Sequence, residues 1–454
     1  MITTATRLDA YHLMHHGIIA LEKVEHNGIA IDVGYAEAQF KTLGSRIKET
    51  QTKLESTTVV KKWKAEYGSD FLWDSNEQLA DVLFNKMDYK PARLTKTGQP
   101  STDEASLSAL GLPMMKGLIR LRKMEKTRNT YLASILREVV EGFVHPIFKL
   151  HSVRTYRSSC SNPNFQNMPI RDPIMGKIIR RCIIPRPGRQ IVEIDFSGLE
   201  VRIAACYHKD PNMLAYIEDP TKDMHRDMAG ECFMLPPVEV TKDARYCGKN
   251  MFVFPEFYGD YHVRCAANLW DAIPKMKLAT VSGTPMKDHL RSEDIRGLPS
   301  FTRHIKAVEK DFWGRRFRVY DQWKRDHYNR YLRNGSFDML TGFRVSGVLS
   351  RNDVINYPVQ GAAFHCLLWC LTELQKWLEE EGMESLIIGQ IHDSIVMDVV
   401  PEEMEAVLAK AQDLMTRAIR EHWDWIVAPL EIEAEVAPVD ASWWDKKEVK
   451  LEAA

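Results

Sequence analysis

The chain has 454 residues, of which 44% are apolar and 27% are charged, and its 61 lysines and arginines nearly balance 62 aspartates and glutamates. This composition is that of an ordinary globular protein with room for two or more domains. Because the formal net charge is only -1, any nucleic-acid-binding surface must be a local basic patch, not a property of the whole chain.

No segment approaches the roughly 18 consecutive apolar residues of a membrane span, and the first residues lack a basic region followed by an apolar core. We therefore expect a soluble, cytoplasmic protein with no membrane contact. The eight cysteines are scattered, without a CxxC pair or a matching histidine spacing. Buried, reduced thiols are the expected state, rather than disulfides or a zinc site.

The first 150 residues have a helical pattern. A first helix runs to the turn "HNGIAID", a polar helix follows through Leu54, and the loop "KTGQPST" interrupts the later helices, with Pro100 and Ser101 predicted as a helix entry. The segment "RLRKMEKTRNTYL" concentrates cations, namely Arg120, Arg122, Lys123, Lys126 and Arg128. These cations occupy more than one face, so the segment is either a solvated helix or one that grips phosphates.

The remaining residues predict strands separated by loops and helices. Residues 151–170 are rich in Ser, Asn and Pro and predict an irregular loop, which the apolar strand "IVEI" follows, ending at Asp195. A helix is predicted from about Leu199, and residues 216–340 predict mostly polar helices. The segment "SLIIGQIHDSIVMDVV" predicts a hairpin of two buried strands with Asp393 at its turn.

Asp195 and Asp393 form the first candidate site. Two aspartates at adjacent strand ends of one sheet would offer the carboxylate oxygens that Mg²⁺ prefers. Two such ions about 4 Å apart suit phosphoryl transfer. Aspartates are also common in turns, so neither segment by itself indicates a metal site.

A second candidate site lies in the segment "DARYCGKNMFVFPEFYGD". Arg245 and Lys249 are four residues apart and share one helical face. The aromatic residues that follow are Phe252, Phe254, Phe257 and Tyr258. Cations on one turn and aromatics on the next suit a triphosphate and its base, although an amphipathic helix with an aromatic core face gives the same pattern.

Taken together, six ordered blocks resemble the DNA polymerases of the bacterial DNA polymerase I type, family A. "DFSGLEVR" and "QIHDS" resemble the two palm motifs, and "RYCGKNMFVFPEFYG" resembles the fingers helix. The other blocks are "TYRSSCSNPNFQNMPIR", "DMHRDMAGECF" and "INYPVQGAA". With thumb-like segments in the N-terminal third, the resemblance runs from about residue 15 to the end.

The resemblance implies an α+β protein with the right-hand polymerase fold, in which the palm combines an antiparallel sheet with helices and the fingers and thumb are helical. The implied boundaries are 1–150 for an N-terminal helix and the thumb, 151–215 for the first palm segment, 216–340 for the fingers, and 341–454 for the second palm segment and C-terminus. The implied activity adds dNTPs to the 3′ end of a primer on template DNA and releases pyrophosphate. A separate exonuclease or processivity subunit would fit as a further partner.

The resemblance also implies roles for single residues. Asp195 and Asp393, with the backbone carbonyl of Phe196, would hold two Mg²⁺ ions, for which Mn²⁺ can substitute, and Lys249 would protonate the leaving pyrophosphate. The residues implied to bind the incoming nucleotide are Arg245, Lys249, His225, Glu200, Phe254 and Tyr258, with Glu200 and Tyr258 excluding a 2′-hydroxyl. The residues implied to bind primer-template DNA are Arg157, Asn164, Gln166, Asn356, Gln360 and His392, with Lys123, Lys126 and Arg128 on the thumb.

Two features depart from the family pattern. Ser394 follows the second aspartate, where the family usually has an acid, so an accessory carboxylate is missing. The interval from Lys249 to Tyr258 is nine residues, one longer than usual. In a regular helix, the extra residue would rotate the aromatic side chains by about 100° away from the face of Lys249. We therefore predict a π-bulge or kink between Lys249 and Pro255, which places Phe254 beside the nucleotide sugar; an unbroken helix would place Val253 there.

Other activities stay open at this point. A reverse transcriptase or a single-subunit RNA polymerase shares the fold, and Glu200 argues against ribonucleotide substrates but not against an RNA template. A primer-template-binding protein with a decayed site is opposed by the joint presence of Asp195, Asp393, Lys249 and Arg245. We expect no intrinsic proofreading, because no second carboxylate cluster is evident. The sequence leaves open whether the chain is complete, a fragment or half of a split enzyme.

Overall fold

The structure is a computed structural model that describes residues 5–95, 97–170, 172–219 and 221–451. The helices are α1 (Arg7–Asn27), α2 (Val33–Glu55), α3 (Thr58–Tyr67), α4 (Asn76–Ala80), α5 (Glu104–Ala109), α6 (Pro113–Lys126), α7 (Ala133–Glu138), α8 (Pro173–Arg180), α9 (Leu199–His208), α10 (Pro211–Glu218), α11 (Met224–Phe233), α12 (Lys242–Gly248), α13 (Phe254–Phe257), α14 (His262–Lys275), α15 (Met286–Ser292), α16 (Leu298–Asp311), α17 (Arg318–Asn334), α18 (Arg351–Glu380), α19 (Met404–Asp413) and α20 (Ile419–His422). The strands are β1 (Ile29–Ala30), β2 (Phe143–Val144), β3 (Ile147–Lys149), β4 (Ser159–Ser161), β5 (Gln190–Phe196), β6 (Ser336–Asp338), β7 (Arg344–Ser346), β8 (Leu386–Ile391), β9 (Ser394–Val399), β10 (Ile432–Val436) and β11 (Lys447–Val449).

One antiparallel sheet positions the candidate site. Its strand order is β11-β10-β5-β9-β8, so the strand that carries Asp195 lies between β10 and β9. Every residue of β9 is buried, which is typical of a strand covered on both faces. The hairpin of β8 and β9 and the helix that follows β5 confirm the predictions from the sequence.

Helices α1 and α18 pack against each other, and α1 also contacts β8. Gly17 of α1 allows this close approach, because an added Cβ would lie 2.7 Å from Leu368 of α18. The two long N-terminal helices and the helical character of residues 216–340 confirm the expectations from the sequence. In the part of the chain that the structure describes, no helix is long and apolar enough to cross a membrane.

Two local predictions need correction. The helix predicted to enter at Pro100 and Ser101 instead begins after Asp103, whose carboxylate accepts a hydrogen bond of 2.8 Å from the backbone N–H of Ser106. An aspartate caps the exposed N–H groups of a first turn well, so it fixes the start of α5. Lys96, the first residue of that loop motif, lies outside the described residues. The loop at 151–170 is not wholly irregular, because it contains β4, which pairs with β3.

All eight cysteines are free and buried, as expected. Removal from water raises the thiol pKa at several of them, for example to about 11 at Cys160 and about 12 at Cys182. Thiols in such surroundings are chemically inert and contribute as small apolar side chains.

Candidate active site

The sheet brings the two predicted aspartates together. Asp195 on β5 lies opposite Ser394 on β9, and the backbone N–H of Phe196 donates to the carbonyl of Asp393 across 3.2 Å. Asp393 occupies the apex of the hairpin, beside the end of β5. The predicted adjacency of the two carboxylates is therefore confirmed, while their role as metal ligands remains a prediction.

The environment of both carboxyls disfavours two negative charges. Desolvation, followed by the charges of Asp393, Glu193 and Glu433, raises the pKa of Asp195 to about 7, although its side chain reaches solvent near the end of β5. Desolvation also raises the pKa of Asp393 to about 6, and the nearby Arg157 only partly opposes this shift. A cation between these carboxylates would relieve their repulsion.

The donor set fits a hard divalent ion. The Oδ1 atom of Asp393 is shielded from solvent and has no hydrogen-bond partner among the described residues, and Nη2 of Arg157 lies 4.0 Å from it. The described residues contain no group of three His, Cys, Asp or Glu side chains arranged as a metal site. Two carboxylates would leave several coordination positions for backbone carbonyls, water and phosphate oxygens, which is how Mg²⁺ is commonly held.

A chain of polar contacts leads away from Asp393. Arg157 donates to Oε1 of Glu200 at 3.3 Å, and the hydroxyl of Tyr258 donates to Oε2 of the same carboxylate at 2.5 Å. Desolvation and the charge of Glu200 raise the pKa of Tyr258 well above its usual range, so the phenol keeps its proton and acts as a donor. The predicted pairing of Glu200 with Tyr258 is thus present in this structure.

The helix that carries Tyr258 contains the predicted irregularity. A π-helical turn spans Lys249–Val253, between α12 and α13. This turn absorbs the extra residue, so Val253 is fully buried while Phe254 faces the cavity that Glu200 also lines. The rings of Phe254 and Tyr258 lie 6.4 Å apart. The π-bulge prediction is confirmed.

A cationic group lies beside Phe254. The Nζ atom of Lys249 is 5.3 Å from the centre of the Phe254 ring, and the centre of the His225 ring is 5.6 Å from the centre of the same Phe254 ring. Desolvation, then Lys249 and Arg245, lowers the pKa of His225 to about 4, so its ring is neutral at pH 7. Arg245 pairs with Asp223 at 2.6 Å, and Nδ1 of His225 is shielded and has no partner. Lys249 and Arg245 both lie close enough to His225 to lower its pKa, so the three predicted triphosphate-binding groups are neighbours.

Two cavities adjoin this arrangement. The first holds about 30 Å³, and its polar lining comes from Glu200, Tyr258, Asn356 and Gln360. That volume has room for little more than a water molecule. The second is an open cleft of about 600 Å³, which brings together five predicted DNA-contacting residues, namely Arg157, Asn164, Gln166, Gln360 and His392.

Comparison with known proteins identifies the family. The profile described as "DNA polymerase family A" matches residues 38–278 and 340–444. The chain belongs to DNA polymerase family A. The resemblance inferred from the sequence motifs is therefore confirmed.

Individual relatives agree with the family assignment. The chain is 27% identical over 444 residues to DNA polymerase I of Pseudomonas aeruginosa, covering 94% of this chain and 43% of the relative. It is 28% identical over 433 residues to the thermostable DNA polymerase I of Thermus aquaticus, covering 94% and 47%. It is 26% identical over 395 residues to the DNA polymerase of Bacillus phage SP01, covering 82% and 39%. The chain thus spans less than half the length of these curated relatives.

A solved structure supports the fold assignment. The POL domain of Pol1 from M. smegmatis, in complex with DNA primer-template and dNTP, has a TM-score of 0.75 to this chain at 23% identity and covers 95% of this chain and 70% of that chain. The fold is therefore α+β and of the right-hand polymerase type, as the sequence motifs implied.

The three predicted thumb cations lie outside this site and already have partners. Lys123 pairs with Glu104 at 2.9 Å and with Asp172 at 3.3 Å. Arg128 stacks on Phe40, with its guanidinium carbon 3.8 Å from the ring centre. Lys126 lies 5.8 Å above the ring of Tyr131. Contact with DNA phosphates stays a prediction for all three, and it would compete with these partners.

One polar residue of the site, Gln390, was not predicted from the sequence. Gln390 is 2% exposed and hydrogen-bonds to Ser158, Gln166 and the carbonyl of His392. The signal in the sequence is a single amide inside the apolar run "LIIGQI". A polar side chain in a buried strand must find hydrogen-bond partners, so its position alone indicates a specific contact.

Proposed function

We propose that the chain catalyses template-directed DNA synthesis, adding dNTPs to a primer 3′ end with release of pyrophosphate. The supporting observation is one continuous series of contacts from the carboxylate pair to the cationic helix. It runs from Asp393 through Arg157, Glu200 and Tyr258 to Phe254, beside Lys249. Such an arrangement offers adjacent places for a primer end, a sugar and base, and a triphosphate.

Family membership supports a division into subdomains. We assign residues 151–215 and 341–454 to the palm, because β5 from the first segment pairs with β9 and β10 from the second. Residues 216–340 form the helical fingers. Residues 1–150 supply the thumb, although α1 packs against α18 and β8 of the proposed palm.

Asp195 and Asp393, with the backbone carbonyl of Phe196, would hold two Mg²⁺ ions, for which Mn²⁺ can substitute. When bound, such ions neutralise phosphate charge and make the primer 3′-hydroxyl more acidic. In the reaction, the 3′-hydroxyl loses its proton to solvent, its oxygen bonds to the α-phosphorus, and the bond from that phosphorus to the pyrophosphate oxygen breaks. Lys249 gives a proton to the leaving pyrophosphate, which then carries three negative charges instead of four.

The remaining contacts orient the substrates. Arg245, Lys249 and the neutral ring of His225 bind the triphosphate. Glu200 fills the space that a 2′-hydroxyl would need. Tyr258 breaks its hydrogen bond to Glu200 when its ring closes over a new base pair. Arg157, Gln360 and Asn356 contact the minor groove at the primer terminus, where correct pairs offer acceptors at equivalent positions, and His392 contacts the terminal phosphate.

Primer extension with purified protein tests this function. We expect extension with Mg²⁺ and dNTPs on a DNA template, and much weaker extension with NTPs because of Glu200. Preferential use of NTPs would instead favour an RNA polymerase, and equal extension on an RNA template would favour a reverse transcriptase. No extension under any of these conditions would contradict the proposal.

The affinity for divalent metal should fall as the pH falls. Asp195 and Asp393 bind protons with pKa values of about 7 and about 6, and only their ionised forms bind metal. Below its pKa, each carboxyl lowers the apparent affinity by about tenfold per pH unit. Titration with Mn²⁺, followed by electron paramagnetic resonance between pH 8 and 6, should show this loss. An affinity that does not change over this range would show that these carboxyls do not bind the ion.

A further inference from the structure

A buried amide in β8 connects two parts of the proposed active site. The Nε2 atom of Gln390 donates to the carbonyl of His392 across 2.7 Å. Its Oε1 atom accepts from the hydroxyl of Ser158 at 2.7 Å and from Nε2 of Gln166 at 2.6 Å. These partners lie 232 and 224 residues away along the chain. One side chain thus joins the loop at 151–170 to the hairpin apex.

Packing at the preceding residue brings the same loop onto β8. An added Cβ at Gly389 would lie 2.4 Å from the ring of Phe165, so only glycine allows the ring to sit there. The pairing of β8 with β9 shifts its register between Ile387 and Gly389. Phe165 itself is fully buried. Two neighbouring residues of β8 therefore fix the loop, one by its lack of a side chain and one by hydrogen bonds.

The backbone of the hairpin apex is held from several sides. His392 adopts a left-handed conformation with φ of 50°, which is rare for a residue other than glycine and needs support from its surroundings. Gln390 supplies this support by binding the His392 carbonyl. The next carbonyl, of Asp393, accepts from the N–H of Phe196, and the hydroxyl of Ser394 donates to the carbonyl of Ile391 across 2.9 Å.

We propose that Gln390 is a positioning residue, which couples the DNA-facing loop of Arg157, Ser158 and Gln166 to the orientation of the Asp393 carboxylate. This role rests on the proposed polymerase function. Gln390 does not reach the reacting atoms and acts through the His392 carbonyl. It needs a donor and an acceptor on one planar group, because one end binds a carbonyl and the other binds two donors. Glutamate keeps the shape but loses the donor, and methionine loses both.

The test compares Gln390→Met and Gln390→Glu with the wild type in single-turnover extension at saturating primer-template and dNTP. A small misplacement of a catalytic group is costly, so we expect the extension rate to fall about tenfold or more. The affinities for dNTP and primer-template should stay within about twofold, because the packing of Phe165 on Gly389 still holds the loop that carries the predicted DNA contacts. Gln375→Met is the matched control, since Gln375 is a second buried glutamine, on α18, whose amide donates to Glu379. It should leave the rate unchanged.

Coupling to the loop is tested with Ser158→Ala, which removes one of the two donors to Gln390. Ser158→Ala should lower the extension rate, and the double variant with Gln390→Met should be no slower than Gln390→Met alone, to within about twofold. If the fold reductions in rate of the two single variants multiply in the double variant, the two residues act independently. A rate for both Gln390 variants near that of the wild type would also overturn the proposal. If the wild type itself fails to extend primers, the proposed function fails, which is a distinguishable outcome.

Discussion

Replacing Asp195 or Asp393 with asparagine should lower primer extension by about a thousandfold or more. Each substitution removes one of the two carboxylates proposed to hold the catalytic ions, whose charge stabilisation is worth several kcal/mol. Primer-template affinity should change little, because the predicted DNA contacts come from other residues. Rapid-quench extension and a separate binding titration measure the two effects, and extension at a near wild-type rate by either variant would exclude the two-metal assignment.

The same variants should not lose stability. The pKa of each carboxyl is raised in the folded protein, so the ionised form disfavours folding. This destabilisation grows as the pH rises from the pKa of the unfolded chain to the pKa of the folded protein. At pH 8 without metal, Asp195→Asn should therefore raise the unfolding temperature. Glu433→Gln is a matched control, because Glu433 adds to the same repulsion from β10 and interacts with Ser197. It should keep extension activity.

Phe254→Tyr should remove discrimination against dideoxynucleotides. We propose that Phe254 lies beside the sugar of the bound nucleotide. A phenylalanine there offers no hydroxyl, so the 3′-hydroxyl of the substrate would make the polar contact to its own phosphates, and a dideoxynucleotide would leave that contact empty. Losing a hydrogen bond to a charged phosphate costs about 1.5 to 3 kcal/mol, or roughly tenfold to a hundredfold in incorporation. The wild type should therefore reject dideoxynucleotides by this factor, and the tyrosine variant should accept them.

The ratio of dNTP to dideoxynucleotide incorporation measures this effect. Phe254→Leu is the control, because leucine also lacks a hydroxyl and should retain the rejection. The buried position of Val253 makes it unsuited to the same role. An unchanged ratio in Phe254→Tyr would show that the π-helical turn does not place this ring beside the sugar.

Features governed by local spacing could be predicted from the sequence. The strand ending at Asp195 and the hairpin at Asp393 have clear apolar patterns, and antiparallel pairing brings their ends together. The π-helical turn followed from one extra residue between Lys249 and Tyr258, together with a proline that cannot donate to a helix.

Features that depend on distant partners could not be predicted. The partner of Arg128 is Phe40, 88 residues earlier, and two partners of Gln390, Ser158 and Gln166, are more than two hundred residues away. No pattern within a helix or a strand encodes such contacts. The cations of residues 120–128 could therefore be counted from the sequence, but the distant partner of Arg128 could not be identified.

Single-nucleotide incorporation tests the proposed activity most directly. Each of the four dNTPs is offered separately opposite each template base, with wild type and Asp195→Asn in parallel. We predict that the wild type adds only the complementary nucleotide and that Asp195→Asn adds it about a thousandfold more slowly. Addition that ignores the template base, or complementary addition at the same rate by both proteins, would contradict template-directed synthesis at the Asp195 and Asp393 site.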